Sequence, residues 1–247
     1  GRLTAEDAFA YSSFARVALG TNDVDFRARP HSAEEASFLA AEVVLTNAVT
    51  YTDLESAKTV VLAGLEPEDE AGMIFLRLRK ASRHGTRVVS VAPYTSRGLA
   101  KMGGHLVRTA PGAEAAAIEG LVEHAEFGID STAVILVGER LATVPGALSA
   151  AAGLARKTGA RLAWVPRRAG DRGAVETGCL PDLLPGGRPV ADPAARVDAA
   201  TAWGVDNLPE TPGRDGDAIV AALVSGELSG LVIGGVDPDD TADPAAT

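Results

Sequence analysis

Cysteine is nearly absent: Cys179 stands alone in 247 residues, so no internal disulfide can form. One thiol and four histidines cannot hold an all-cysteine iron–sulfur cluster or a structural zinc. Basic charge is short as well. The 23 Lys and Arg face 33 Asp and Glu, and the net charge of −10 argues against nucleic acid or an anionic membrane surface as the main partner. No apolar run approaches the ~20 residues that cross a bilayer, and no basic-then-apolar leader opens the chain. Neither export nor membrane insertion is expected, and a cytoplasmic setting is the default. Methionine is missing at position 1: the chain opens with Gly1 and passes almost at once into a helical pattern, which predicts a fragment of a longer polypeptide. Standard signatures are missing too. There is no G-x-G-x-x-G after a strand, no G-x-S-x-G and no H-E-x-x-H, and Gly153-Leu-Ala-Arg-Lys-Thr lacks the second glycine of a P-loop.

What is present is 46% apolar and 23% charged, enough for one large domain or two lobes. Residues 4–18 read as a helix: Thr4 can cap, Glu6 and Asp7 suit the positive first turn, Ala10, Phe14 and Val17 form a stripe, and Gly20 stops it. A second helix follows Pro30, with Ser32 and Glu35 spaced as a capping box. Runs at 59–64, 86–92, 133–138, 160–165 and 230–235 are short, β-branched and unalternating, the pattern of strands covered on both faces. Between the first pair, Ile74, Leu78 and Ala81 mark a helix ending at Arg83, His84 and Gly85. Leu148, Ala151 and Ala155 mark another, ending at Lys157 and Gly159. Strand, helix, strand at this spacing predicts right-handed βαβ units and an α/β fold with mainly parallel sheets flanked by helices.

Two strand ends repeat each other. Val60-Val-Leu-Ala-Gly-Leu-Glu-Pro-Glu-Asp69 and Leu231-Val-Ile-Gly-Gly-Val-Asp-Pro-Asp-Asp240 share three aliphatics, a small residue, Gly, an aliphatic, an acid, Pro and two acids. A weaker copy, Val134-Ile-Leu-Val-Gly-Glu139, lacks the proline. The spacing is too uneven for a solenoid. The expectation is two α/β lobes, 1–130 and 131–247, with a long loop at 166–193 and frayed last residues.

Gly64, Gly138 and Gly235 end strands, where either a ligand approaches the backbone or a tight turn needs a residue without Cβ. Nearby acids bear on that choice, since a carboxylate ~5 Å from a phosphate at an effective dielectric of ~20 costs roughly 3 kcal/mol. Glu66, Glu68, Asp69 and Glu70, and likewise Asp237, Asp239 and Asp240, have no base among their sequence neighbours, so these edges should repel a pyrophosphate. The acids either complement a helix dipole or hold a divalent cation. His31, His84, His105 and His124 are too dispersed to read as a ligand set, with His84 better read as a helix C-terminal cation. Cys179 has no identifiable base. Arg167, Arg168 and Arg172 form the one basic cluster, either an anion clamp or a solvated, subunit-facing loop.

The run Tyr11 to Ser32, YSSFARVALGTNDVDFRARPHS, resembles the molybdopterin oxidoreductase superfamily, formate dehydrogenases in particular. Gly64-Leu-Glu-Pro67, Ala92-Pro93-Tyr94 and Pro111-Gly-Ala-Glu114 stand where that superfamily has G-x-N-P, D-P-R and P-G-T-D. The family's metal-ligating cysteine or selenocysteine precedes a histidine, whereas here Pro30 precedes His31, and proline has no ligating atom. Residues that would meet the pterin nucleotide become Glu66 and Ala92. The resemblance implies a surviving fold with a vestigial pocket at Pro30, His31, Gly64, Glu66, Ala92, Gly138 and Gly235, no catalytic or metal residue, and no cofactor in this stretch.

Trp164 to Ala174 and Leu180 to Pro189 look like the branch of the superfamily found in the large iron–sulfur subunits of respiratory complex I, and nineteen Arg against four Lys suit an actinobacterial source. That branch implies iron–sulfur clusters in an N-terminal portion outside this chain. Its implied partners are the parent's own cluster domains and the other subunits of the peripheral arm, at the cytoplasmic face of the membrane. Two other readings stay open: part of an active molybdenum or tungsten oxidoreductase such as a formate dehydrogenase, and a small-metabolite binding module with Arg167 and Arg168 as anion contacts.

Overall fold

The computed structural model describes residues 2–44, 46 and 49–247; Gly1, on which the expectation of a fragment rests, lies outside the described residues. Helix α1 (Ala5–Ser13) starts where expected, with Thr4 and Asp7 in a reciprocal capping box. It continues as a π-helical turn, Phe14–Ala18. The inward face is Ala8, Ser12, Ala15 and Arg16, so the stripe predicted from Ala10, Phe14 and Val17 points outward instead. Apolarity misassigned this face because its two most buried residues, Ser12 and Arg16, are polar.

Helix α2 (Glu34–Phe38) also runs into a π-helical turn, Leu39–Val43. The Ser32–Glu35 capping box does not form: the Ser32 hydroxyl is buried without a partner, and the Glu35 amide bonds the Ser32 carbonyl oxygen at 3.2 Å. The chain then alternates as α3 (Tyr51–Ser56), β1 (Thr59–Ala63), α4 (Pro67–Glu70), α5 (Gly72–Ser82), β2 (Arg87–Ala92), α6 (Arg97–Lys101), β3 (His105–Arg108), α7 (Glu114–Gly120), β4 (Val134–Gly138), α8 (Ala147–Thr158) and β5 (Arg161–Val165). After these come α9 (Asp171–Glu176), a two-residue hairpin of β6 (Leu183–Leu184) and β7 (Arg188–Pro189), α10 (Pro193–Trp203) and α11 (Gly216–Val224).

The described chain forms two compact units: one is Ser32–Phe38 with Thr46–Arg167, the other Gly1–His31 with Leu39–Leu45 and Arg168–Thr247. The first unit is a parallel sheet in the order β3-β2-β1-β4-β5. Its strands lie on both sides of residue 130, because the order reverses at β1 and sets β4 beside it; the lobe boundary expected there falls inside this unit. β1 and β4 are buried along their whole length, as two-sided apolar runs demand. On one face Val60, Leu62, Val134 and Leu136 pack with Leu54, Phe75 and Leu78. Each fully buried aliphatic contributes about 1.5–3 kcal/mol. β3 went unforeseen because it is a four-residue edge strand with half-buried Leu106 and Val107 between exposed His105 and Arg108.

The second unit overturns two expectations. Residues 166–193 are no featureless loop: they hold α9 and the β6–β7 hairpin, with Leu180, Leu183, Leu184 and Val190 buried. Leu184 and Val190 pack on Ala195 and Ala199 of α10, contacts that no short-range periodicity announces. Residues 230–235 form no strand, since no neighbouring strand lies alongside among the described residues. The chain end turns back on itself, the Thr247 amide bonding the Asp243 carbonyl oxygen at 3.1 Å.

Candidate functional site

In an open parallel sheet the natural ligand crevice lies at the carboxyl ends of the strands where the order reverses, here β1 and β4. The protein fills that place itself. A methyl group at Gly138 would overlap the Gly64 carbonyl oxygen, and a Cβ at Gly64 would lie 2.7 Å from the Leu141 amide nitrogen. Leu141, on the 3-10 turn after β4, is 1% exposed. Gly64 also holds φ at +62°, which a side chain would strain. These contacts are those of a tight turn that has no room for a Cβ.

The acids at this edge are occupied as well. The Glu66 carboxylate accepts from the Glu68 amide at 3.2 Å, and Glu70 accepts from the Glu66 amide at 2.7 Å. Arg140 donates to Glu70 at 2.8 and 3.2 Å, Lys101 pairs with Glu68, and the Arg167 amide donates to the buried Glu139 carboxylate at 3.0 Å. No base stands among the immediate sequence neighbours, as expected, but the fold brings Lys101 to Glu68 and Arg140 to Glu70 from 33 and 70 residues away. The acids begin α4, separate from α5. Arg2 and Arg168 each reach Asp240 at 2.9 Å, so the second acidic turn is countered too.

The segment 11–31 builds a different kind of site in the other unit. Arg16 is 2% exposed. Its guanidinium donates to Ser12 Oγ at 2.6 Å, Asn22 Oδ1 at 2.9 Å, and the carbonyl oxygens of Gly178, Leu180 and Leu183 at 2.8–2.9 Å. Burial lowers its pKa to about 10, which leaves it charged at neutral pH. Asn22 passes the tie onward, donating to the carbonyl oxygens of Pro209 and Thr211 at 3.0 and 2.8 Å. Arg27 and Asp25 form a buried two-pronged pair, and Asp25 also accepts from the Gly216 amide at 3.2 Å. His31 faces the Arg29 carbonyl oxygen through Nδ1 at 3.0 Å and Asp215 through Nε2 at 3.5 Å. Burial works to raise the Asp215 pKa, but the Ala218 amide and His31 hold it below the ordinary carboxylate range.

The seven positions expected to line a vestigial pocket fall in two groups: Gly64, Glu66, Ala92 and Gly138 in the sheet unit, and Pro30, His31 and Gly235 in the other. Arg16, Asn22, Asp25, Arg27 and Asp215 were missed as candidates; the i, i+4 spacing of Ser12 and Arg16 and the i, i+2 spacing of Asp25 and Arg27 were the local signals. The basic cluster is partly neutralised, Arg168 by Asp240 and Arg172 by Glu176 at 2.9 Å. Cys179 donates to the Ala8 carbonyl oxygen at 3.0 Å, and burial pushes its thiol pKa up, the reverse of an activated nucleophile. His105 and His124 each lie against the Phe127 ring, with ring centroids 6.0 and 5.2 Å away, and no group of three or more His, Cys, Asp or Glu gathers for a metal among the described residues.

The model of the molybdopterin oxidoreductase family matches residues 1–180. The chain belongs to that family. Over its whole length it is 59% identical to the G subunit of NADH-quinone oxidoreductase from Mycobacterium tuberculosis, and over 99% of its length 52% identical to that from Streptomyces coelicolor. It spans about a third of each, 31% and 32%. Formate dehydrogenase H of Escherichia coli is 40% identical over 28% of the chain and 10% of the enzyme. Against the family's molybdenum–pterin group stand two observations: the Pro30 side chain has no ligating atom, and at the ends of β1 and β4 the glycine backbone and Leu141 leave no room for a Cβ.

Proposed function

We propose that this chain is a cofactor-free scaffold within the large iron–sulfur subunit of an actinobacterial NADH-quinone oxidoreductase. In this reading electrons pass from NADH toward quinone through clusters held outside these residues, and the family fold serves to position those cluster domains and neighbouring subunits of the peripheral arm. The match along the entire chain to the mycobacterial and Streptomyces relatives carries the reading. The closed crevice supports the cofactor-free part of it. No helix among the described residues is long and apolar enough to cross a membrane, in keeping with a place beside the membrane rather than in it.

Affinity purification of the tagged full-length parent polypeptide, with companions identified by mass spectrometry, tests the assignment; the expected companions are the other peripheral-arm subunits. Metal analysis of the same sample should give iron without stoichiometric molybdenum or tungsten. One equivalent of either metal, or turnover of formate, would establish the formate dehydrogenase alternative instead.

A further inference from the structure

One segment has the sequence of a two-sided buried strand but, among the described residues, no strand beside it. In β1, Val60, Val61 and Leu62 are at most 1% exposed and pair with β2 on one side and β4 on the other. In the copy, Leu231, Val232 and Ile233 are 43%, 57% and 48% exposed, and among the described residues the backbone of 230–236 makes no hydrogen bond. The turn that follows is nonetheless the same. Gly235 has φ +64°, and the Asp237 carboxylate accepts from the Asp239 amide to open the turn Pro238–Asp240, as Glu66 does from Glu68 to open α4. Local sequence has thus set the turn, while the ladder half is missing.

Leu231, Val232 and Ile233 also line a cavity of about 1250 Å³ within their own unit, together with Phe14, Val220 and Val224. Residues 228–236 carry no charge. Leaving such side chains half in water forgoes hydrophobic stabilisation that full burial would supply. A strand apolar on both faces suits the interior of a sheet, not an edge facing solvent.

We propose that residues 230–235 are a β-strand whose sheet is completed by a strand from the part of the parent polypeptide outside these 247 residues, seated in the apolar cavity. The occupant follows from length: the mycobacterial and Streptomyces relatives are about three times as long as the matched region. The inference rests on the proposed function only in taking the parent to be as long as those relatives.

Hydrogen–deuterium exchange on the tagged full-length parent in its native assembly reads the ladder directly. The amides of 231–235 should exchange about 100-fold or more slower than an unstructured peptide, as ladder amides do. A photoreactive phenylalanine analogue at Val232 should crosslink to a peptide of the same polypeptide outside residues 1–247. Exchange at the unstructured rate overturns the inference. So does a crosslink to residues within 1–247, to a second copy, or to a companion protein. Companion identities come separately from the same sample, so the proposed function and this inference fail by different readouts.

Discussion

The sheet unit and the unit around Arg16 are held by opposite means. In the first, aliphatic side chains of β1 and β4 lose water on both faces, and the stabilisation is spread over many similar contacts. In the second, three polar side chains, Arg16, Asn22 and Asp25, tie the segment 12–27 to backbone near 178–183, 209–211 and 216. Dispersed apolar contacts tolerate change by degrees. A buried guanidinium does not, because its removal strands several carbonyl oxygens that no substitution can delete. The run that most clearly carries the family resemblance is therefore a structural hub here.

The sharpest test of that contrast is Arg16→Met, expected to destabilise its unit by about 4 kcal/mol through unsatisfied backbone acceptors. Alkylation of Cys179, 4% exposed and the chain's one thiol, would report the opening. In a Trp203→Phe background, Trp164 of β5 should meanwhile show the sheet intact; an Arg16→Met protein with unchanged labelling would break the comparison. Leu62→Ala should cost the sheet unit about 3 kcal/mol in denaturant titration, with Cys179 labelling unaffected in native buffer. Gly138→Ala, forced against the Gly64 carbonyl, should cost about 2 kcal/mol by the same titration. Asp215→Ala removes a cap from α11 and should cost about 1 kcal/mol at pH 7. Its folded-state pKa is depressed, so that contribution is fully present above the ordinary value of about 3.9 and is lost as pH falls through the lower folded value. Chemical denaturation of both proteins at pH 7 and below pH 4 should show the gap closing.

Much of the sheet unit was legible because its information is local. Four of the five apolar runs became β1, β2, β4 and β5; of the predicted stripes, α5 buries Leu78 and Ala81 with Ile74 half-buried, and α8 buries Leu148 and Ala151 with Ala155 half-buried. The fifth run failed for a reason local sequence cannot contain: a strand exists only beside another strand. The candidate site was less legible still. Glu70 and Arg140, or Glu68 and Lys101, meet only after the sheet has placed their turns side by side, and the acidic edge that looked bare of bases is paired.

From sequence alone came the period of apolar residues, the capping of α1 by Thr4, and the glycine–acid–proline turns, since each depends on residues within one or two turns of one another. Only tertiary structure decided that the charged Arg16 would be buried, that Gly138 would lie against Gly64, and that one strand-like run would stand without a ladder among the described residues. Those outcomes depend on which distant backbone atoms arrive, and hydrogen-bond partners and close approaches are properties of space that residue order does not spell out.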